Sequence, residues 1–581
     1  MEAMIQAKID PDSDLIQLSF RYNLDYVQRI KTIPHRRYDP ETRTWLIPKP
    51  QWRRFIRIFR DVPVQIPWDQ KYDFSILEKP DMIPSISEIQ GFRGELYSFQ
   101  RKGVGFLITR KRCLLADELG LGKTVQSIAA SLELQNRGLA RRVLVFCPKT
   151  LIRQWIKEIR KFTDEEAIAI AGTRQQRRAA YSICRNRNIF FAITNYATVL
   201  REAEDLAQLS PDITILDEVT RIKNFRAKTT RLIKKYFRTP YRWALSGTPL
   251  ENRLEELYSI MEWVDSTILE HWKTFSSKYI ITRERTVYVR GGERRRFREV
   301  VGYRNLAELR DHLRGWILRR RKRDVLPDLP DVTVNTHYVE LEDEERSAYS
   351  IISKYVWDLY RERGRSSAVL ARLVFMRECC DHTHLVKDVL KDLGFEPPSI
   401  DESSKLRELL LILDDLVQSD YERKVVVYSE WVSMLNLIAD SAPHYGVEML
   451  HGKMSARERE DVINTFTEDP ECRVLLCSDV AEEGLNLQVA DTVINYELHW
   501  NPARLQQRVG RLHRIGQKNT VTCINLVAED TIEERVLKVL GEKTGVFRKV
   551  IEGDFSSPAY ENTIWQILDE EFGRRRSAWK S

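Results

Sequence analysis

The chain has 581 residues, enough at roughly 150 per domain for about four units, or for two large ones with additions. Its 43% hydrophobic and 31% charged residues can fill several packed cores and exclude wholesale disorder. A net charge of +8 with a pI near 8.9 permits a polyanionic partner without requiring one. The eight cysteines form no CxxC pair and no His/Cys cluster at zinc spacing, and read as reduced thiols of a soluble intracellular protein. The N-terminal MEAMIQAKIDPD lacks the apolar stretch of a signal peptide, and no run of about 18 apolar residues is present to span a membrane.

Residues 1–70 read as a separate small α+β unit. MIQAKIDPDSDLIQLSF gives short apolar stretches around a polar turn, NLDYVQRIKTI has helical periodicity, RRYDPETRTWLIP reads as turn then strand, and QWRRFIRIF as a second helix. Arg36, Arg37, Arg43, Arg53, Arg54 and Arg57 are interleaved with Tyr38, Trp45 and Trp52, which suits phosphate contact and stacking on exposed bases. The same composition fits a small module whose aromatics are core and whose arginines are solvated. Residues 71–90, with two prolines and little periodicity, mark a linker.

The next stretch, LYSFQRKGVGFL, is near helical spacing and carries Gln100, able to present a donor and an acceptor to an adenine edge. Then the apolar run Cys113–Ala116 leads into Asp117–Thr124, DELGLGKT, and a helix over Val125–Leu134. A strand, a Gly-bearing loop and a helix form a phosphate cradle. Gly120, Leu121 and Gly122 lie in the loop, whose N–H groups turn inward. Lys123 reaches the β- and γ-phosphates, and the Thr124 hydroxyl ligates Mg²⁺. The pattern G-x-x-x-x-G-K-[ST] is matched only in its second half, since Asp117 stands where its first glycine belongs.

RRVLVFCPK and NIFFAITNY are continuous apolar strands of a buried parallel sheet, ending near Lys149 and at Asn195-Tyr196. DITILDEVTRIKN places Asp217 and Glu218 at a strand's C-terminal end, where Asp217 would hold Mg²⁺ and Glu218 position a water. YRWALSGTPL repeats the pattern, ending in Ser246-Gly247-Thr248. In RTVYVRGGERRRFREVVGYR, period-two residues flank Arg290–Glu293, a β-hairpin with Arg290, Arg294, Arg295, Arg296 and Arg298 near its tip, placed either to grip a sugar-phosphate backbone or to face solvent. The run Arg319–Arg323 reads as a linker or a nucleic-acid contact, and residues 341–400 as helical. From Ser404 a second α/β unit begins, with strands KVVVYS, VEMLH, CRVLLCS, TVINYE and TCINLV. In QQRVGRLHRIGQ, Arg508, Arg511 and Arg514 fall three apart on a helix. Such arginines either stabilise charge developing on a γ-phosphate or form a solvated face.

Taken together, DELGLGKT, VLVFCPKTLIRQW, LDEVTRIKN, ALSGTPLENRLEELYSI, LRRRKRDV, LHGKMSARERE, HWNPAR and RVGRLHRIGQ resemble, in order, the Swi/Snf-like ATPases of helicase superfamily 2, and Asp117 is that family's form of the loop. The resemblance covers roughly residues 90–545. It implies an α/β fold of two RecA-like doubly wound parallel-sheet lobes with helical protrusions. Lobe 1 is expected over 91–330, a helical protrusion and linker over 331–400, lobe 2 over 401–545 and a tail over 546–581. It also implies ATP and Mg²⁺ as cofactors, with Gln100 on adenine, Lys123 and Thr124 on phosphate and metal, and Asp217 and Glu218 in hydrolysis. Arg511 and Arg514 become arginine fingers, with Gln507 beside them and Gly484 in the preceding motif. Lys149, Asn195, Tyr196, Ser429 and His451 are the candidate nucleic-acid contacts of the lobes.

Three positions depart from the family: Thr220 stands where its acidic box carries His, and His499 and Ala503 replace acids. The stretch IKTIPHRRYDPETRTWLIP resembles the HARP module of annealing helicases, which makes Arg36, Arg37 and Trp45 candidate DNA contacts and implies branched or forked DNA as substrate. The expected protein is a monomeric, DNA-stimulated ATPase, at the nucleoid of a prokaryotic cytoplasm or in a eukaryotic nucleus. A strand-separating or RNA-directed helicase and a DNA-binding adaptor with a decayed motor are the alternatives.

Overall fold

The computed structural model describes residues 4–9, 13–66, 83–249, 253–288, 294–363, 367–399, 401–478 and 485–543. Gly484, the hairpin tip at Arg290–Glu293, most of the 71–90 linker and the tail expected over 546–581 lie outside them. The described residues form two units, one ending at Arg321 and one beginning at Lys322.

The first unit opens with the small module. Its strands β1 (Ile5–Ile9), β2 (Leu15–Ser19), β3 (Arg37–Asp39), β4 (Thr44–Pro48) and β5 (Val64–Gln65) form one sheet in the order β3-β4-β2-β1-β5. The helices Leu24–Lys31 and Trp52–Ile58 pack on it. Asn23 caps the first helix by accepting from Asp25 N at 2.9 Å, the polar cap that precedes its apolar stripe. Ile16, Ile30, Ile47, Trp52, Phe55 and Phe59 are almost wholly buried, so Trp52 is a core residue and not a stacking platform.

Half of the module's six arginines named above turn toward the rest of the first unit. Arg54 pairs with the buried carboxylate of Glu270, Arg53 donates to Asp311 O at 3.2 Å, and Arg57 lies 3.7 Å from the Asp311 carboxylate. Gln51 Nε2 donates to Thr267 O at 2.6 Å, and Arg112 bridges Asp14 at 2.6 Å and Asp265 at 3.1 Å. Arg36, Arg37, Tyr38 and Arg43 remain exposed.

Close to this contact, burial pushes the His312 imidazole down to about 4, with Lys278 and Arg54 adding to the shift. The folded chain therefore keeps His312 neutral while the unfolded chain takes a proton near pH 6.5. The His312 contribution to stability is full above pH 6.5 and falls between there and pH 4, by at most about 1.4 kcal/mol per pH unit. Urea midpoints measured from pH 7 to 4.5 will fall more steeply for the native chain than for His312→Asn; equal slopes would show that another group controls the acid transition.

The main sheet of the first unit contains β6 (Arg112–Leu115), β7 (Val143–Cys147), β8 (Ala167–Ile170), β9 (Phe191–Asn195), β10 (Ile213–Asp217), β11 (Tyr241–Leu245) and, after the hairpin β12 (Ile280–Tyr288) and β13 (Arg294–Tyr303), the short β14 (Ile317–Leu318). Its order is β14-β6-β11-β10-β7-β9-β8, with every pairing parallel. β7, β10 and β11 are buried along their whole length, as expected of strands covered on both faces. Register sets the site. Leu115 lies opposite Leu245, and Leu245 opposite Asp217, so the loop after β6 and the acids after β10 leave the sheet at one height, roughly 10 Å apart.

The second unit holds β15 (Val332–Val339), β16 (Val425–Tyr428), β17 (Val447–Leu450), β18 (Val474–Cys477), β19 (Thr492–Asn495) and β20 (Val521–Ala528). They form a second all-parallel sheet, ordered β15-β20-β19-β16-β18-β17. β15 corrects the expectation of a helical stretch over 331–400: it is an edge strand, half polar and largely solvent-facing, so it lacks the continuous apolar run that marked its neighbours. The helices Asp343–Arg363 and Ser367–Asp381 follow it and pack against Ile532, Val536 and Leu540 of the last described helix. All eight cysteines are free and buried. No described helix is long and apolar enough to cross a membrane.

Candidate active site

β6 delivers the loop Ala116–Gly122 to the start of the helix Lys123–Asn136. Gly120 and Gly122 take left-handed backbone, with φ of 87° and 73°, and a Cβ on Gly122 would meet Gln100 Nε2 at 2.6 Å. Only glycine fits there. The first N–H groups of the helix carry its positive end, which favours an anion. Lys123 Nζ folds back onto the loop, donating to Asp117 O at 2.8 Å. Burial pushes this ammonium's pKa down, while Glu218, Asp117 and Asp217 pull it back up. Thr124, the next residue, is half-buried. A cation facing carboxylates beside loop N–H donors is the donor set that a nucleotide polyphosphate with a divalent ion would fit.

Asp217 ends β10 at 7% exposure. Its Oδ2 accepts from Trp155 Nε1 at 2.8 Å and its Oδ1 from Glu218 N at 3.0 Å, while its carbonyl accepts from the Tyr196 hydroxyl at 2.7 Å. Glu218 is held at φ 49°, a left-handed conformation of the kind that concentrates at functional sites. Trp155, carried on the helix Ile152–Phe162, thus orients the metal-candidate carboxylate. The sequence offered only an unexplained tryptophan in LIRQW. The buried Thr248 Oγ1, at the neighbouring strand end, has no hydrogen-bond partner among the described residues.

Gln100 sits at 4% exposure, accepting from Tyr97 N at 3.1 Å and donating to Leu121 O at 3.3 Å. It therefore braces the phosphate loop with one donor and caps its own helix with one acceptor, keeping one further N–H and one lone pair. Asp117 is fully buried and paired with Arg320, so Arg320 is neither linker nor nucleic-acid contact.

Of the candidate nucleic-acid residues in this unit, Lys149 is exposed at the end of β7. Asn195 Oδ1 accepts from Ala197 N and Thr198 N at 3.0 and 3.3 Å, capping the turn after β9. Tyr196 is corrected outright: it is buried at 8% exposure, with its hydroxyl on Asp217 O. Arg36 and Arg37 are exposed, and Trp45 is half-buried beside Tyr38, with ring centroids 5.2 Å apart. Beyond β8 and β9, a cleft of about 830 Å³ is lined by Arg174, Arg177, Arg178, Arg185 and Arg201. Arg177 is committed to Glu202 at 2.6 Å.

In the second unit, Arg508 and Arg511 lie on the helix Pro502–Leu512 and Arg514 just beyond its end, which corrects the expectation of three on one helix. Arg508 is fully buried, donating to Asn495 Oδ1 at 3.0 Å and lying 5.0 Å from the Tyr428 ring centroid, so it is a structural residue. Arg511 is 4% exposed, and Arg514 and Gln507 are half-buried. Ser429 is also corrected: it is wholly buried, its Oγ accepting from Trp431 N at 3.2 Å in a turn after β16. His451 is half-buried, with a buried Nδ1 that has no partner among the described residues.

Two parallel sheets, a phosphate loop braced from a preceding helix and an acid pair at the same register height are the arrangement of helicase superfamily 2 ATPases. Residues 99–385 match the SNF2-related domain and residues 404–516 the helicase conserved C-terminal domain. The chain thus carries an SNF2-related domain followed by a helicase C-terminal domain, and curated proteins match it along most of its length. Among them are the chromatin structure-remodeling complex subunit snf21 of Schizosaccharomyces pombe, 28% identical over 83% of this chain and 42% of its own length. The ATP-dependent DNA helicase DDM1 of Arabidopsis thaliana is 29% identical over 82% of this chain and 66% of its own. The SWI2/SNF2 ATPase core of Sulfolobus solfataricus, solved in complex with dsDNA, is 25% identical over 81% of this chain and 96% of that one, with a TM-score of 0.38. The chain spans about half the length of the curated relatives it matches first.

Proposed function

We propose that the chain is a DNA-stimulated ATPase motor that translocates on duplex DNA and remodels or reanneals branched or forked DNA. The observation that carries the ATPase part is the partly buried Lys123 ammonium, folded onto the carbonyls of the Gly-bearing loop and drawn by the Glu218, Asp117 and Asp217 carboxylates. Lys123 holds the β- and γ-phosphates, Thr124 and Asp217 hold Mg²⁺, and Glu218 orients the attacking water. Arg511 and Arg514 supply positive charge to the γ-phosphate. The metal, when bound, neutralises charge on the phosphate oxygens.

For DNA, the support is the exposed Lys149, the arginine-lined cleft beyond β8 and β9, and the exposed Arg36, Arg37, Tyr38 and Arg43 of the module. These groups suit backbone contact with stacking, the requirement at a junction between duplex and single strand. Annealing on forks is favoured by the module's HARP-like stretch.

The test is ATP hydrolysis by the full chain with no nucleic acid, duplex, single strand, fork or RNA, for the native protein and for Arg36→Glu with Arg37→Glu. Forks will stimulate the native chain most, and the double variant will respond to forks only as it does to plain duplex. Equal stimulation of the native chain by fork and duplex would leave a general duplex translocase; stimulation by RNA alone would overturn the DNA assignment.

A further inference from the structure

The residues Trp316–Arg320 run beside β6 and past its end. Leu114 N donates to Trp316 O at 2.9 Å, Ala116 N to Leu318 O at 2.7 Å and Glu118 N to Arg320 O at 3.0 Å. The ladder therefore extends beyond the strand into the phosphate loop itself. At its last rung the Arg320 guanidinium grips the loop's first side chain. Its Nε donates to Asp117 Oδ1 at 2.9 Å and its Nη2 to Asp117 Oδ2, the bidentate fork geometry of a strong pair. The same guanidinium donates to Gln126 Oε1 at 2.8 Å and to Phe99 O, and lies over the Phe99 ring with its centroid 5.3 Å away. Gln126 Nε2 closes the cluster onto Asp117 Oδ2 at 3.2 Å and Leu121 O at 3.0 Å. Gly103 makes room: a Cβ there would come within 1.8 Å of Gln126 Oε1.

We propose that Arg320 is a positioning residue of the phosphate loop, its ion pair with Asp117 fixing the loop where the general phosphate-loop pattern relies on glycine. This rests on the nucleotide reading above. A buried carboxylate at the root of an anion-binding loop is tolerable only when paired, because alone it would repel a polyphosphate and carry its own desolvation cost. Arg320 cancels that charge, and its fork sets the loop's entry angle by holding both carboxylate oxygens.

The experiment measures binding of a fluorescent ATP analogue without DNA, KM and kcat on duplex, DNA affinity and thermal midpoint, on the full chain. Arg320→Gln will weaken nucleotide binding and raise KM about 10-fold or more with DNA affinity unchanged. Arg320→Lys will recover part of the loss, since a point charge cannot fork. Arg320→Gln combined with Asp117→Asn, which removes the stranded charge, will bind nucleotide better than Arg320→Gln alone. Unchanged nucleotide affinity in Arg320→Gln overturns the proposal, as does a parallel fall in nucleotide affinity, DNA affinity and thermal midpoint; if that variant does not fold, Arg320→Lys carries the same comparison. A native chain that binds no nucleotide sinks the ATPase reading instead.

Discussion

Replacing Lys123 by alanine abolishes ATP turnover on every nucleic acid while the chain goes on binding duplex DNA. The expected loss is at least about 100-fold, the scale of removing one preorganised charge from a phosphoryl-transfer site. The geometry explains why the fold should survive. Lys123 is itself only half-buried and donates only to the loop carbonyls of Asp117 and Glu118, so no bond between core elements is lost with it. Burial disfavours its charge in any case, so its removal relieves a desolvation cost even as it strands Glu218 and Asp217. The loop stays held by Gln100 and by the Arg320–Asp117 pair. Phosphate release and DNA affinity, measured on the same preparation, check it. Retained DNA-stimulated turnover would remove Lys123 from the site.

Lys405→Ala in the second unit is expected to have the largest effect on stability. Lys405 is fully buried, with Nζ 2.8 Å from Asp381 Oδ1 and 2.9 Å from Glu533 Oε1, both carboxylates being buried as well. The other atoms of the cluster are also committed: Trp431 Nε1 donates to Asp381 Oδ2 at 3.0 Å and Ala528 N to Glu533 Oε2 at 2.8 Å. Burial pushes Asp381 up to about 6 even though Lys405 pulls it down, while Asp381 and Glu533 hold the Lys405 ammonium above its ordinary value despite burial, so desolvation is offset for the cation and only partly for Asp381. Alanine at 405 leaves two carboxylates in a dry site with no cation, a loss of roughly 3–5 kcal/mol. That corresponds to a fall of roughly 10 °C in the unit's thermal midpoint. Combining Lys405→Met with Asp381→Asn and Glu533→Gln should recover most of it, because the charges then leave together. A single variant within 2–3 °C of the native midpoint would show that the site admits water.

Much of this molecule follows from local sequence. Val143–Cys147, Ile213–Asp217 and Tyr241–Leu245 are unbroken apolar runs, and only a strand covered on both faces requires that pattern. The loop after β6 was legible because its demands are local: Gly122 must take positive φ, and Lys123 must open a helix. Asp217 and Glu218 were placed by the same logic, as polar residues ending an apolar strand. The Ala167–Ile170 and Val332–Val339 strands escaped because edge strands need no apolar run and can be short or half polar.

The partners of the charged side chains came only from the tertiary structure. Six arginines near the N-terminus look alike in sequence, yet Arg53, Arg54 and Arg57 face the lobe while Arg36, Arg37 and Arg43 face solvent, because the Trp52–Ile58 helix docks beside Glu270 and Asp311. Arg320 sits in a run that reads as linker, and its partner Asp117 lies 203 residues away. Tyr196 and Ser429 follow strand ends as nucleic-acid contacts would, but both are buried: the Tyr196 hydroxyl turns inward to Asp217 O at the end of β10, and the Ser429 hydroxyl to Trp431 N in its own turn. Residue type and period determine which segments are strands, helices and phosphate loop. Which cation meets which carboxylate is decided only when the folded sheets bring distant segments within hydrogen-bond reach.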